Sequence, residues 1–175
     1  SPARPAPGQP VRVMAVMSDA PAESLTLRTA DGATLPIDTI RRGGPPWSLA
    51  GELPPGLPGD LQIEVRRAGE VVACRAIAPH DAIVAPVDLG LGWSKPVEAF
   101  YSAWIETLFD APASESLSFP SLQPVLRDPG RNFLRYHLAP GEDSRLPATP
   151  DCADLPYYLR AYFAWKIGLP VVYRA

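Results

Sequence analysis

An α+β fold is predicted, an N-terminal antiparallel β-sandwich followed by a mainly helical part, and three observations lead to it. Between Val11 and Ile77, short runs alternate apolar and polar residues with period two and are separated by Gly, Pro and Asp. From Ser94 onward the apolar residues recur every three or four positions, the period of a helix with one buried face. Between the two regimes lies Ala82–Leu91, of mixed character and carrying Pro86 and Gly90, where the crossing between domains is expected. The chain is therefore divided into a linker over 1–10, a sandwich over 11–90 and a helical part over 91–175.

The strands follow in order. Val11-Arg12-Val13-Met14-Ala15-Val16-Met17 is rich in β-branched residues, and Leu25-Thr26-Leu27-Arg28-Thr29 alternates. Asp31-Gly32 is a hairpin turn leading to Thr34-Leu35-Pro36-Ile37. Trp47 to Leu53 alternates again, and after the loop Pro54–Asp60 the apolar residues of Leu61-Gln62-Ile63-Glu64-Val65-Arg66 share one face. Ala68-Gly69 turns the chain into a last strand, Val71–Ile77. Six short strands at this spacing suit a small antiparallel sandwich. Arg41-Arg42 and Arg66-Arg67 read as strand-end or turn charges. Trp47 is expected as a core anchor, with ligand stacking as the alternative.

In the helical part, Ser94 is a suitable N-cap and Pro96 falls in the first turn, where its missing N–H is not needed. Val97, Phe100, Tyr101, Trp104, Ile105 and Leu108 define the buried face, and Asp110-Ala111-Pro112 ends the helix. Leu117–Leu126 is a loop with a short helical turn from Ser121. Arg131–Leu138 suits a short helix or strand with Phe133, Leu134 and Leu138 inward. Ala139–Pro150 is polar, rich in proline and expected to be an exposed loop. A second helix, apolar on nearly every side, runs to Ile167 and stops at Gly168, with Val171-Val172-Tyr173 as the start of a strand.

Composition excludes several functions. A net charge of −3 with no Lys/Arg cluster argues against nucleic-acid binding. No apolar run approaches the ~20 residues needed to span a bilayer. Ser1–Pro10 reads as a linker left after an upstream region or signal peptide is removed, or equally as an artificial chain boundary, and on the first of these a bacterial periplasmic or secreted protein is expected. The 23 prolines are spread through the loops and give rigid connections. Two cysteines, Cys74 and Cys152, are too few for a disulfide framework, and two free thiols are expected rather than a bridge. His80-Asp81 reads as part of a solvated linker. No metal site and no cofactor are expected.

The candidate chemistry is at Asp151-Cys152-Ala153-Asp154, ahead of the second helix. A thiol attacks as thiolate, and helix N-termini and imidazolium groups favour that form. Asp151 is a suitable N-cap, Asp154 suits the acceptor position three residues on, and the helix amides offer donors for an oxyanion. Against this, both carboxylates oppose a thiolate, and a free cysteine is often only a small hydrophobe.

Two resemblances bear on this reading. The stretch Pro58-Gly59-Asp60-Leu61-Gln62-Ile63-Glu64-Val65 is similar to the penultimate strands of immunoglobulin-like accessory domains. Cys152-Ala153-Asp154, a long apolar helix, Gly168-Leu169-Pro170 and then Val171-Val172-Tyr173-Arg174 resemble the nucleophile segment of the transglutaminase-like family. Asp151-Cys152 is also similar to the start of the Asp-Cys-Ser-Gly motif of the bacterial cell-wall endopeptidases of the same papain-like superfamily. Ala153-Asp154 here replaces the family's Ser-Gly. The resemblance implies the helical N-terminal part of a papain-like domain, and a thiol hydrolase or acyltransferase acting on peptide, isopeptide or peptidoglycan-type substrates. Cys152 is then the nucleophile, with Asp151 and Asp154 as possible supporting residues. Tyr136 as a groove residue and His137 as a substitute base lie upstream, in the wrong order for the family, and a packing or surface role is the alternative reading of both. His and Asp or Asn partners are expected beyond residue 175, in a C-terminal remainder of the same protein. The competing expectation is a non-catalytic envelope protein that binds a partner through its β-domain.

Overall fold

The computed structural model describes residues 10–57, 61–77, 92–112, 114–115, 121–146 and 148–172. The chain divides into two compact units, with the boundary between Ala85 and Pro86. His80 and Asp81, the expected crossing over 82–91, and Tyr173 lie outside the described residues.

The first unit is a sandwich of two antiparallel sheets, one of three strands and one of four. Its strands are β1 (Val11–Met17), β2 (Ser24–Thr29), β3 (Thr34–Ile37), β4 (Thr39–Gly43), β5 (Trp47–Leu53), β6 (Leu61–Arg67) and β7 (Glu70–Ile77). The sheet orders are β1-β5-β4 and β3-β2-β6-β7. Alternation decides the register. Leu25, Leu27, Ile63 and Val65 pair across β2 and β6 on one face and meet Leu49 and Leu53 of β5 in the core. The β2–β3 hairpin turns at Asp31-Gly32, where Gly32 takes a φ of +86° that few other residues adopt cheaply.

A seventh strand, β4, adds to the six expected. Its Arg41 pairs with Leu49 across β5 and therefore points to the inner face, where its guanidinium donates to the carbonyls of Ala22 (2.8 Å) and Glu23. Two adjacent arginines concealed the alternation, so what reads as a turn charge is an inter-sheet tie. Trp47 is half-buried rather than a core anchor. Glu64 points to the outer face of its sheet yet is 3% exposed, because Arg66 (2.8 Å) and Arg28 (3.5 Å) cover its carboxylate.

The second unit is mainly helical: α1 (Lys95–Leu108), α2 (Gln123–Arg127), a 3₁₀ turn η1 (Glu142–Arg145) and α3 (Leu155–Ile167). The face expected of α1 is its buried one, with Val97, Trp104 and Leu108 inside and Phe100, Tyr101 and Ile105 packed beside them. Ser94 sits at the N-cap with extended ψ, but its hydroxyl makes no capping bond. Gly168 (φ +74°) ends α3, and the Leu169 N–H closes back to the Ala164 carbonyl at 2.8 Å in a Schellman arrangement. Val171 and Val172 follow without strand pairing, and Val172 is 82% exposed.

Residues 131–150 depart most from expectation. Arg131–Leu138 is neither helix nor strand but a series of turns, and Leu138 is exposed. The cause is side-chain bonding that competes with a regular backbone. Asn132, fully buried, accepts from the Leu134 N–H (3.0 Å), and Tyr136 adopts a left-handed φ of +52° that delivers its N–H to Asp143 Oδ2 at 2.7 Å. Nor is Ala139–Pro150 simply an exposed loop, since Asp143 and Ala148 are buried.

These segments hold a continuous polar chain through the core. Trp104 donates to Asn132 Oδ1 (3.0 Å), and Asn132 Nδ2 donates to the Leu126 carbonyl and to the Tyr162 hydroxyl (both 2.8 Å). Tyr162 donates to Asp143 Oδ1 (2.7 Å), and the Lys166 ammonium lies 2.6 Å from the same oxygen. Lys166 also pairs with Glu142, whose carboxylate takes the Leu138 and Ala139 N–H groups, each at 3.0 Å. Both Lys166 and Asp143 are closed off from solvent. Burial and the bond to Asp143 push the Tyr162 hydroxyl far above its ordinary pKa, so it remains a donor at every working pH.

Removing one member of a buried ion pair leaves the other uncompensated and costs about 3–5 kcal/mol. Lys166→Met is therefore expected to lower unfolding free energy by about that amount in urea titrations, and Tyr162→Phe by about 1–3 kcal/mol. A loss of under about 1 kcal/mol for Lys166→Met would show that the network carries no weight. In the sandwich, Arg66 beside Glu64, with Arg28, holds that carboxyl below its ordinary value of 4.5. A lowered folded-state pKa contributes stability above the unfolded value and loses it as pH falls through the folded one. The thermal midpoint of the sandwich should thus decline less steeply below pH ~4.5 in Glu64→Gln than in the parent protein.

Candidate functional site

The turn that carries Cys152 is built by its predecessor. The Asp151 carboxylate accepts the N–H groups of Ala153 and Asp154 through one oxygen, each at 2.8 Å, and the Asp151 carbonyl accepts the Leu155 N–H at 3.0 Å. Asp151 is thus the working cap, and residues 152–154 form a turn that runs directly into α3. Pro156 falls in the first turn of α3, where it displaces no hydrogen bond. The reciprocal half of the expected capping box is absent, because the Asp154 side chain makes no capping bond.

Cys152 is exposed, and so are Asp151, Ala153 and Asp154. The thiol is therefore open to a substrate, and it is not a small buried hydrophobe. The same geometry restricts the oxyanion donors expected at this helix end. The amides of residues 153 and 154 are consumed by Asp151, and that of 155 by the main chain. The Cys152 N–H makes no hydrogen bond among the described residues and is the one donor beside the sulfur that remains for a developing oxyanion. Cys74 is likewise free and exposed, on the β7 strand of the other unit.

Tyr136 and His137 are engaged with their own segment. The Tyr136 hydroxyl lies 3.3 Å from Ser144 Oγ, and that bond draws its pKa below the ordinary value. The Arg135 guanidinium covers the Tyr136 ring at 4.1 Å. His137 is half-buried, and its N–H donates to the Leu134 carbonyl at 3.1 Å. Both residues belong to the turns that lead to Asp143. The five residues expected at the site thus form one local group, Asp151 to Asp154, and one separate turn, Tyr136 and His137. Among the described residues, no group of three His, Cys, Asp or Glu side chains is placed to hold a metal ion.

The α3 helix itself carries an informative asymmetry. Leu159, Tyr162, Phe163, Ala164 and Lys166 are buried, whereas Tyr157 (60% exposed) and Trp165 (42%) lie eight residues apart, with half-buried Ala161 between them. Positions four apart share a helix face, so α3 presents a second apolar stripe that is partly exposed.

No helix of the described residues is long and apolar enough to cross a membrane. The chain matches no protein-family model, no curated protein and no solved structure.

Proposed function

We propose that Cys152 is the nucleophile of a thiol hydrolase or acyltransferase acting on peptide or isopeptide bonds, in the bacterial cell wall or elsewhere in the envelope. The observation that carries this reading is the placement of Cys152. An exposed thiol sits in the turn that leads into a helix whose other end is locked into the core, with its own N–H left available beside the sulfur. In the reaction, the sulfur adds to the substrate carbonyl and the carbonyl oxygen gathers negative charge against the Cys152 N–H. Collapse expels the amine, which takes a proton, and water or a second amine then resolves the thioester. The imidazole that moves these protons and its carboxylate or amide partner would come from chain downstream of residue 175. The apolar stripe of Tyr157 and Trp165 supports this, since it is a surface suited to a further packed layer.

A second reading, a non-catalytic envelope protein, is favoured by one specific feature. Asp151 and Asp154 flank the sulfur, and Asp151 takes two of the amides that would otherwise favour a thiolate. Selective alkylation separates the two readings, and Cys74 is the internal reference because both thiols are exposed. With limiting iodoacetamide at pH 6, Cys152 is expected to react at least about tenfold faster than Cys74, as followed by peptide mass spectrometry. Equal rates would remove the case for a nucleophile. Asp151→Asn keeps the cap acceptor but removes the charge, and it should speed alkylation of Cys152 several-fold. Asp151→Ala loses the cap as well and should cost about 1 kcal/mol of stability in urea titrations.

A further inference from the structure

The β-sandwich holds a cavity of about 340 Å³ at the end of the β1-β5-β4 sheet, far in sequence from Cys152 and independent of the reading given to that residue. Its wall is set by register. Met17 pairs with Trp47, Ala15 with Leu49 and Arg41 with Leu49, so all five side chains stand on the inner face of one sheet. Ala22, entering β2, lines the cavity from the other sheet. Ala15 and Ala22 contribute only small side chains to the wall. Its size lies in the range of small-molecule sites, roughly 300–1,000 Å³.

Two features give the cavity a chemical preference. Trp47 is a fixed aromatic wall, because the backbone of Gly44 packs directly against it. A Cβ at residue 44 would lie 2.7 Å from the indole nitrogen. Arg41 lines the cavity as an exposed residue, its guanidinium held by the carbonyls of Ala22 and Glu23. A guanidinium carries five N–H donors in a planar fork, and these two bonds leave others available. The lining contains no acidic residue.

We propose that this cavity is a binding site for a small apolar carboxylate. An aromatic or branched aliphatic body lies against Trp47, Met17 and Leu49, and the carboxylate pairs with Arg41. The same chemistry is offered by a free acid and by the terminal carboxylate of an apolar residue, and the choice of probes distinguishes these sources.

The test uses the full chain and the indole ¹⁵N–¹H signal of Trp47, assigned by its loss in Trp47→Phe. Phenylacetate is expected to shift that signal saturably and to bind about tenfold more tightly than benzyl alcohol or phenethylammonium, as a charge-assisted bond to arginine implies. Arg41→Gln should bring phenylacetate to parity with benzyl alcohol. Ala15→Leu, checked for folding by circular dichroism, should abolish the shift for every probe. N-acetylglycyl-phenylalanine binding as well as phenylacetate identifies a chain terminus as ligand, and its failure identifies a free acid. The proposal is overturned if phenylacetate leaves the Trp47 signal unmoved at tens of millimolar. It is equally overturned if the neutral or cationic probe binds as well, or if folded Ala15→Leu still binds.

Discussion

The second unit depends on the contact between the Lys166 ammonium and Asp143, 2.6 Å apart and both closed to solvent. A buried charge is costly unless paired and fully hydrogen-bonded, and here every carboxylate oxygen of Asp143 and Glu142 has a partner. The pairing ties α3 to the turns between residues 131 and 145, and Asn132 extends the tie to α1 through Trp104. The Trp104 and Tyr162 rings stack 5.6 Å apart and 9° from parallel, so the polar chain and the aromatic packing fix the same two helices. Such a network rewards one arrangement of the segment and penalises others. It explains how a stretch of turns without regular structure can form the inner wall of a unit.

The same anchoring sets the character of the Cys152 site. Lys166 occupies the last turn of α3, and Cys152 opens the turn ahead of its first, so the buried end holds the helix and the free end presents the thiol. Asp151 works in two directions there. It completes the helix start by accepting two amides, and it places a negative charge beside the sulfur. Structural order at this turn is obtained with two amides that a developing oxyanion could otherwise have used. That balance makes a further cationic or imidazole partner the natural complement of the site, and it is why the proposed chemistry includes one.

The β-sandwich was legible from residues alone because a strand's period of two survives in sequence whichever strand it pairs with. Leu61, Ile63 and Val65 show it clearly, and all three are core residues. Strand β4 was not legible. Arg41 points inward at the open end of the sandwich, and an inward arginine breaks the rule that alternation depends on. In the second unit, α1 and the Gly168 stop of α3 could be read from local periodicity and glycine chemistry. Asp143 and Glu142 could not, since a polar, proline-rich stretch reads as exposed unless its partner is known. That partner, Lys166, lies more than twenty residues on and itself reads as a surface charge. At the candidate site, Cys152 and the Asp151 cap were visible as a motif, whereas the contacts that fix Tyr136 and His137 in a turn leading to Asp143 required the three-dimensional structure.

The most direct measurement of the central claim, that Cys152 is a positioned nucleophile, is acyl transfer from an activated ester, whose leaving group departs without a proton donor. The full chain would be incubated with a p-nitrophenyl ester of an N-acetylated amino acid at neutral pH and analysed by peptide mass spectrometry. An acyl group on Cys152 and not on Cys74, released by hydroxylamine as a thioester is, is the predicted result. Equal acylation of the two thiols, or none at Cys152, would contradict it.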